Sequence, residues 1–202
     1  MKTDPSVMHE SYPDIHHHSY GRTIFGMWLY LMSDLIFFGA LFATYIVLKG
    51  STFGGPSSSE LFQPGFTLIQ TLIMLFCSFT AGLAGASAHR KEKNRTLLLF
   101  GLTFLLGIVF MGMEFTEFSR FLAAGHGWEK SAFLSAYYTI IGTYGVHVLF
   151  GLLWIIVLLI PVWREGITHV SVRRLTALRM FWQFINIVWV LIFSFVYLLG
   201  IK

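Results

Sequence analysis

The stretch MWLYLMSDLIFFGALFATYIVL, residues 27–48, decides the class of fold, because it contains a single charged residue, Asp34. About 20 apolar residues, rising 1.5 Å each in a helix, match the ~30 Å hydrocarbon core of a bilayer. The composition agrees, since 55% hydrophobic and 12% charged residues leave too little polar surface to cover a water-soluble domain. The chain is therefore predicted to be an all-α integral membrane protein.

Five apolar segments are long enough to cross a bilayer, and an odd number of crossings places the two termini on opposite sides. We place these spans at about residues 24–48, 66–88, 96–119, 132–162 and 179–201. Together they form one transmembrane domain, 23–202, preceded by a polar tail, 1–22, which lacks the layout of a cleavable signal peptide. The connection 49–65 is rich in Gly, Ser and Pro, which predicts a flexible loop without an element of its own.

Lysine and arginine are distributed unequally between the two sides of these spans. Ten of them, including those in HRKEKNR (89–95) and in 163–179, fall on the side of the N-terminus, and four fall on the other side. The positive-inside rule then predicts a cytoplasmic N-terminus and an external C-terminus. The net charge of +4 does not indicate a nucleic-acid partner, because the basic residues lie in short connections without interleaved aromatic residues.

The inventory of reactive side chains argues against a cofactor, a metal site or catalysis in this chain alone. Haem or copper requires clustered His, Met or Cys ligands, and His147 is the only histidine predicted at membrane depth. Cys77 is the only cysteine and is interpreted as a packing residue. The triplet 16–18, HHH, is interpreted as part of a solvated tail. The sequence shows no phosphate-binding loop, nucleophile motif or dinucleotide fingerprint.

Asp34 lies about 18 Å of helix beyond Arg22 and therefore close to the middle of the membrane. An ionisable group at the centre of a span costs ~2.5–3.5 kcal/mol on insertion scales, so it normally faces protein or water and has a partner. Two interpretations stay open: a protonated acid that supports the structure by donating a hydrogen bond, or a carboxylate that moves protons. His147 and Glu114, on other spans, are candidate partners.

The remaining polar residues within the spans also have alternative interpretations. His147 is either a hydrogen-bonded packing residue or a ligand. Glu114 and Glu117 share one helical face near the outer interface, where carboxylates are often merely solvated. Glu114 is nevertheless singled out, with Asp34 and His147, as a buried functional or structural polar residue, and Glu117 is secondary. Gln183 and Asn186 have the same spacing on the last span, and they can form hydrogen bonds but cannot ionise.

Several motifs occur together in a fixed order between about Thr23 and Gly200. They are FGMWLYLMSDLIFFGALFATYIVL, GGPSSSELF, GMEFTEF, SAFLSAYYTIIGTYGVHVLFG and FWQFINIVWVLIFSFVYLLG. Because it contains these motifs in this order, the chain resembles subunit III of the haem-copper oxidases, most closely the five-helix subunit III of the cytochrome o type ubiquinol oxidases. The resemblance implies a five-transmembrane-helix bundle of the cytochrome c oxidase subunit III type.

The resemblance also implies a function. Such a subunit is non-catalytic, packs mainly on subunit I beside subunits II and IV, and supports the assembly and stability of subunit I. The complex is a proton-pumping terminal oxidase of the aerobic respiratory chain in the bacterial inner membrane, which oxidises quinol and reduces oxygen to water. Its haems and copper belong to subunit I, and this chain would contact membrane lipids, including a bound phospholipid.

Within the resemblance, Asp34 falls at the buried carboxylate of the first helix and Glu114 at a helix acid of the family. His147 matches the second histidine of the family's HGxHVxxG pattern. At three other positions the chain departs from the family: it has Tyr144 and Gln183 in place of histidine, and Asn186 in place of aspartate. These replacements can still form hydrogen bonds, but a role for them in proton transfer becomes doubtful.

Three rival interpretations remain from the sequence. The chain could be a subunit III-like accessory protein of a nitric oxide reductase, or the corresponding subunit of a cytochrome c oxidase. The close match of the first span and of GGPSSSELF favours the quinol oxidase. An independent transporter would be expected to show paired repeats or interrupted helices around a midplane site, which five uninterrupted spans do not offer.

Overall fold

The computed structural model describes residues 15–54 and 58–200. Its long helices are α1 (Ile15–Leu48), α3 (Pro64–His89), α4 (Lys93–Ala123), α5 (Ala132–Glu165) and α6 (His169–Ile192), and α2 (Ser58–Leu61) is a single turn. The end of α6 continues as a π-helix, Phe193–Leu198. The part of the chain that the structure describes thus contains five helices long and apolar enough to cross a membrane and no strand, which confirms the predicted all-α membrane fold.

Several predicted boundaries differ from the observed ones. Helix α1 begins at Ile15, so residues 15–22 of the predicted tail are helical, whereas residues 1–14 and the side chains of 16–18 lie outside the described residues. The prediction of no element within 49–65 is wrong, because α2 lies there. Most of 163–179 is also helical. Bilayer thickness fixes only the apolar part of a helix, and its polar ends can extend further.

Local sequence explains where the helices begin and end. Pro64 starts α3, at a position where its missing N–H costs nothing. Ser131 caps α5 by accepting a hydrogen bond from the N–H of Leu134 (3.1 Å), and Thr168 caps α6 in the same way. Gly166 ends α5 at a φ of 83°, a conformation that favours glycine. Only residues 166–168 separate α5 from α6, so the two helices are antiparallel neighbours.

Helix α6 is the central element of the bundle, since it packs against α1, α3 and α5, while α4 packs against α3 and α5. Close approach depends on small residues: a Cβ atom added at Gly107 of α4 would lie 2.7 Å from Leu152 Cδ2 and 3.2 Å from Trp182 Cη2. On α3, Gly85 packs directly against the side chain of Arg179. A small residue on the second span therefore forms a close helix contact at this position.

Helix α1 lies at the periphery and packs against α5 and α6. Only 22% of its most apolar window is buried within the chain, against 50% for α6. In water an apolar face of that size would be unstable, but hydrocarbon tails solvate it without cost. Close packing and hydrogen bonds, and not burial from water, must therefore hold α1 against the bundle.

The 49–65 connection is anchored to the bundle, most extensively through its second half. Leu61 and Phe62 are buried, and the ring of Phe62 lies 4.8 Å from that of Tyr197 and 5.2 Å from that of Tyr137, centroid to centroid. The Ser58 hydroxyl donates to the carbonyl of Gly200. The second half of this connection thus closes the end of the bundle opposite the basic connections.

Candidate functional site

The structure brings together Asp34 of α1 and His147 of α5, which the sequence places near the middle of their helices. Asp34 Oδ1 lies 3.2 Å from His147 Nε2, and the side chains are 11% and 17% exposed. His147 Nδ1 lies 2.7 Å from the carbonyl oxygen of Thr143. A carbonyl can only accept, so Nδ1 carries a hydrogen, and the bond to Asp34 must hold one further proton. The pair is therefore neutral overall, whichever side chain carries that proton.

An aromatic ring packs against this pair. The ring of Phe38 lies 5.1 Å from the imidazole of His147, and Phe38 is 1% exposed. Asp34 Oδ2 is buried and has no hydrogen-bond partner in the described chain. A buried acceptor without a donor is costly. The unpaired Oδ2 is therefore the unfavourable feature of an otherwise hydrogen-bonded site.

A second polar group lies deeper in the bundle and nearer the end opposite the basic connections. We call it the tyrosine–carboxylate cluster, and it consists of Gln70, Glu114, Glu117, Tyr137 and Tyr197. Gln70 Nε2 donates to Glu114 Oε1 (3.1 Å). Tyr137 Oη lies 3.3 Å from Glu117 Oε1, Tyr197 Oη lies 3.3 Å from Glu117 Oε2, and the two tyrosine oxygens are 3.1 Å apart.

Glu114 is buried, as predicted, and Glu117 is buried with it: they are only 5% and 2% exposed, so neither is a solvated interface carboxylate. Their position one turn apart on α4 puts both on one face, as the spacing predicts. Helices α3 and α5 and the π-helix cover that face with cluster side chains that the sequence reasoning missed. Glu114, a candidate partner of Asp34, instead accepts from Gln70.

The cluster partners give unequal signals in the sequence. Gln70 is a lone amide in an apolar run, so the sequence could have singled it out like the other polar residues. In the structure it is 0% exposed. Tyr197 could not, because its orientation depends on the π-helix, where the N–H of Leu199 donates to the carbonyl of Ser194 (3.2 Å), five residues back. One π-turn rotates the following side chains relative to α-helical spacing.

The three positions that depart from the family pattern remain outside both polar groups as far as their hydrogen bonds are described. Tyr144 is fully buried, its ring packs on Phe110 and Trp189, and its hydroxyl has no hydrogen-bond partner among the described residues. Asn186 Oδ1 is likewise buried and unpartnered. Gln183 is half-buried, with Nε2 facing Gly82 of α3.

Hydrogen bonds between helices hold the interior elsewhere. Trp189 Nε1 donates to Thr71 Oγ1 (3.1 Å), and the hydroxyls of Thr80 and Thr103 are 2.8 Å apart. Cys77 is fully buried, with Sγ 3.3 Å from the carbonyl oxygen of Thr103, in keeping with its interpretation as a packing residue. Among the residues that the structure describes, no three His, Cys, Asp or Glu side chains come together as a set of metal ligands.

Comparison with known proteins agrees with this architecture. The family model described as cytochrome c oxidase subunit III matches residues 6–201. The cytochrome bo(3) ubiquinol oxidase subunit 3 of Pseudomonas aeruginosa is 46% identical over 184 residues, which cover 91% of this chain and 88% of that protein. The protein of the same name from Buchnera aphidicola (subsp. Baizongia pistaciae) is 41% identical over 90% of this chain and 93% of its own length.

A relative with a different name is nearly as similar. The cytochrome c oxidase subunit 3 of Bacillus sp. (strain PS3) is 42% identical over 175 residues, which cover 87% of this chain and 84% of that protein. Matches of this extent confirm the resemblance drawn from the ordered motifs. The chain belongs to the cytochrome c oxidase subunit III family.

Proposed function

We propose that this chain is the non-catalytic subunit III of a cytochrome o type ubiquinol oxidase, and that it supports the assembly and stability of subunit I. The observation that carries the proposal is its 41–46% identity, over almost the whole of both chains, to three proteins named as subunit 3 of a cytochrome bo(3) ubiquinol oxidase. In such a complex the haems and copper reside in subunit I, and subunits II and IV complete the assembly.

The interior of the chain supports a structural role. Its buried polar side chains bind one another across helices, as in the pairs Asp34–His147 and Gln70–Glu114. The outer surface is largely apolar, with residues such as Trp28 and Ile36 more than half exposed, which suits lipid or the apolar face of another membrane subunit. A bundle of this kind is a preformed surface against which a larger subunit can pack.

We further propose that the complex lies in a bacterial inner membrane with the N-terminus of this chain in the cytoplasm and the C-terminus outside. The α3–α4 connection carries Arg90 and Lys91 and the α5–α6 region carries Arg173 and Arg174, and antiparallel helices bring these connections to one end. The positive-inside rule places that end in the cytoplasm. Alkaline phosphatase fused to the C-terminus should then be active. Activity at the C-terminus of a reporter that works only in the cytoplasm would contradict this topology.

Purification through an affinity tag on this chain tests the assignment to an oxidase. The expected result is stoichiometric co-purification of a many-span subunit with haem and copper, together with oxygen consumption driven by ubiquinol. Deleting the gene should reduce the yield of assembled subunit I. Co-purification with no haem protein, or undiminished assembly of subunit I without this chain, would refute the proposal.

The relative from Bacillus sp. (strain PS3) favours a second candidate, the subunit III of a cytochrome c oxidase, because it is 42% identical to this chain. The same purified complex separates the two candidates. Oxygen consumption with ubiquinol and none with reduced cytochrome c supports the quinol oxidase. The reverse preference supports the second candidate and leaves the family assignment unchanged.

A further inference from the structure

The oxygens of Glu117, Tyr137 and Tyr197 form a closed triangle in the interior of the bundle. The Glu117 carboxyl lies 3.3 Å from each tyrosine hydroxyl, through a different oxygen for each, and the two hydroxyls are 3.1 Å apart. Each of these separations is within hydrogen-bonding range, and each hydrogen bond needs a proton. The triangle therefore has places for three protons.

An ionised Glu117 cannot fill the triangle. Each tyrosine hydroxyl supplies one proton and a carboxylate supplies none, so three contacts would share two protons. One pair of oxygens would then face each other without a hydrogen between them. Water cannot make up the difference by solvation from outside, because Glu117 is 2% exposed and Tyr137 and Tyr197 are at most 1% exposed.

The neighbouring groups do not neutralise an ionised Glu117 by direct contact. Glu114 is a second buried carboxyl one turn away on α4, and among the described residues its hydrogen-bond donor is the amide of Gln70. Arg120 is exposed, and its guanidinium lies over the rings of Phe66 and Phe121 at 5.9 and 5.3 Å. Of the described residues, no cation forms an ion pair within 4.0 Å of either carboxyl.

The cluster also contains a buried acceptor that lies outside the triangle. Gln70 is fully buried and donates through Nε2 to Glu114, but its Oε1 has no hydrogen-bond partner among the described residues. The cluster thus contains an orphaned acceptor as well as the incomplete triangle. Buried polar groups are normally satisfied, so the described part of this cluster has fewer donors than its acceptors call for.

We propose that Glu117 is a proton-binding site and that it carries a proton in the membrane-embedded protein, closing a ring of three hydrogen bonds. In one direction Glu117 Oε1–H donates to Tyr137, Tyr137 donates to Tyr197, and Tyr197 donates to Glu117 Oε2. In the other direction Glu117 Oε2–H donates to Tyr197, Tyr197 to Tyr137, and Tyr137 to Glu117 Oε1. Three protons shift between the two directions and the net charge stays the same.

Infrared difference spectroscopy of the full chain in its native membrane assembly tests this proposal, because a carboxylic acid and a carboxylate absorb at different frequencies. In the spectrum of the wild-type protein minus Glu117→Gln at neutral pH, we expect loss of one protonated carboxyl C=O band that shifts on deuteration. The exposed Glu129 is the matched control: Glu129→Gln should remove the two carboxylate bands. Loss of carboxylate bands in Glu117→Gln would overturn the proposal.

Tyr197→Phe tests the ring without changing Glu117. This variant removes one hydrogen bond to the carboxyl, so the same C=O band should persist and move to higher frequency. Tyr138→Phe is the matched control, because the Tyr138 hydroxyl donates outside the ring, to the carbonyl of His126 (3.1 Å). An unchanged band in Tyr197→Phe, or an equal shift in Tyr138→Phe, would overturn the ring even if Glu117→Gln failed to fold.

Discussion

Replacing Asp34 separates a structural role from a proton-carrying one, because Asn and Ala remove different properties of the side chain. Asp34→Asn has nearly the same size, cannot ionise, and can donate from its amide to His147 Nε2 across the same 3.2 Å. Asp34→Ala removes the bond altogether. The imidazole of His147 is fixed through Nδ1 by the Thr143 carbonyl, so its Nε2 cannot turn to a new partner.

The magnitudes follow from the environment of the pair. Hydrogen bonds between membrane helices contribute about 0.6 kcal/mol on average and up to about 1.7 kcal/mol. Asp34→Ala also leaves His147, which is 17% exposed, with an unsatisfied nitrogen, so the expected loss of unfolding free energy is ~1–3 kcal/mol. Asp34→Asn keeps a bond and should cost less than ~1 kcal/mol.

The assay is equilibrium unfolding of the full chain in mixed lipid and detergent micelles, together with turnover and proton pumping of the assembled complex. Ser33→Ala is the matched control, since the Ser33 hydroxyl on the same helix only donates to the carbonyl of Leu29 and the residue is exposed. Equal destabilisation by Asn and Ala would refute the hydrogen-bond argument. Loss of proton pumping in a fully assembled, fully loaded Asp34→Asn complex would make Asp34 an obligatory proton carrier.

Three further outcomes are expected. Thr71→Val keeps the shape of the side chain but removes the acceptor of Trp189 Nε1–H, so unfolding free energy should fall by ~1–3 kcal/mol, whereas the exposed Thr116→Val should change it little. Gly107→Ala overfills the contact of α4 with α5 and α6 and should cost ~1–3 kcal/mol, while Gly101→Ala, which meets nothing within 4 Å, should be neutral or stabilising. The isolated polypeptide should show no haem absorption in an optical spectrum, and a stoichiometric Soret band would contradict this.

The class of fold and the approximate spans could be read from the sequence, because bilayer thickness imposes a length on every apolar helix. The ends could not. Polar residues such as His169 and Arg173 continue α6 outside the apolar window, and one capping threonine, Thr168, fixes where that helix begins. Likewise, α2 owes its existence to contacts of Leu61 and Phe62 with the bundle, which composition does not encode.

The candidate site was predictable residue by residue but not as an arrangement. The free-energy cost of a polar side chain at membrane depth singled out Asp34 and His147, and the structure places them in contact. The same argument gave Glu114 as an equal candidate partner, since sequence contains no distance between helices. Burial of Glu117 was missed, because its partner Tyr197 lies on a π-helix whose register an α-helical pattern does not anticipate.

The two polar groups hold different parts of the bundle. In lipid, helix association gains little from apolar burial, so the peripheral α1 needs specific bonds to keep its place. Two of its side-chain bonds to other helices are Asp34 to His147 and the Tyr45 hydroxyl to the Val196 carbonyl (3.3 Å). They lie eleven residues apart along α1, or about 16 Å, and so fix both its height and its rotation. The tyrosine–carboxylate cluster, by contrast, joins α3, α4, α5 and the π-helix, which already pack closely. A neutral pair suffices for the first task, whereas only a cluster that retains its proton can bury two carboxyls in the second.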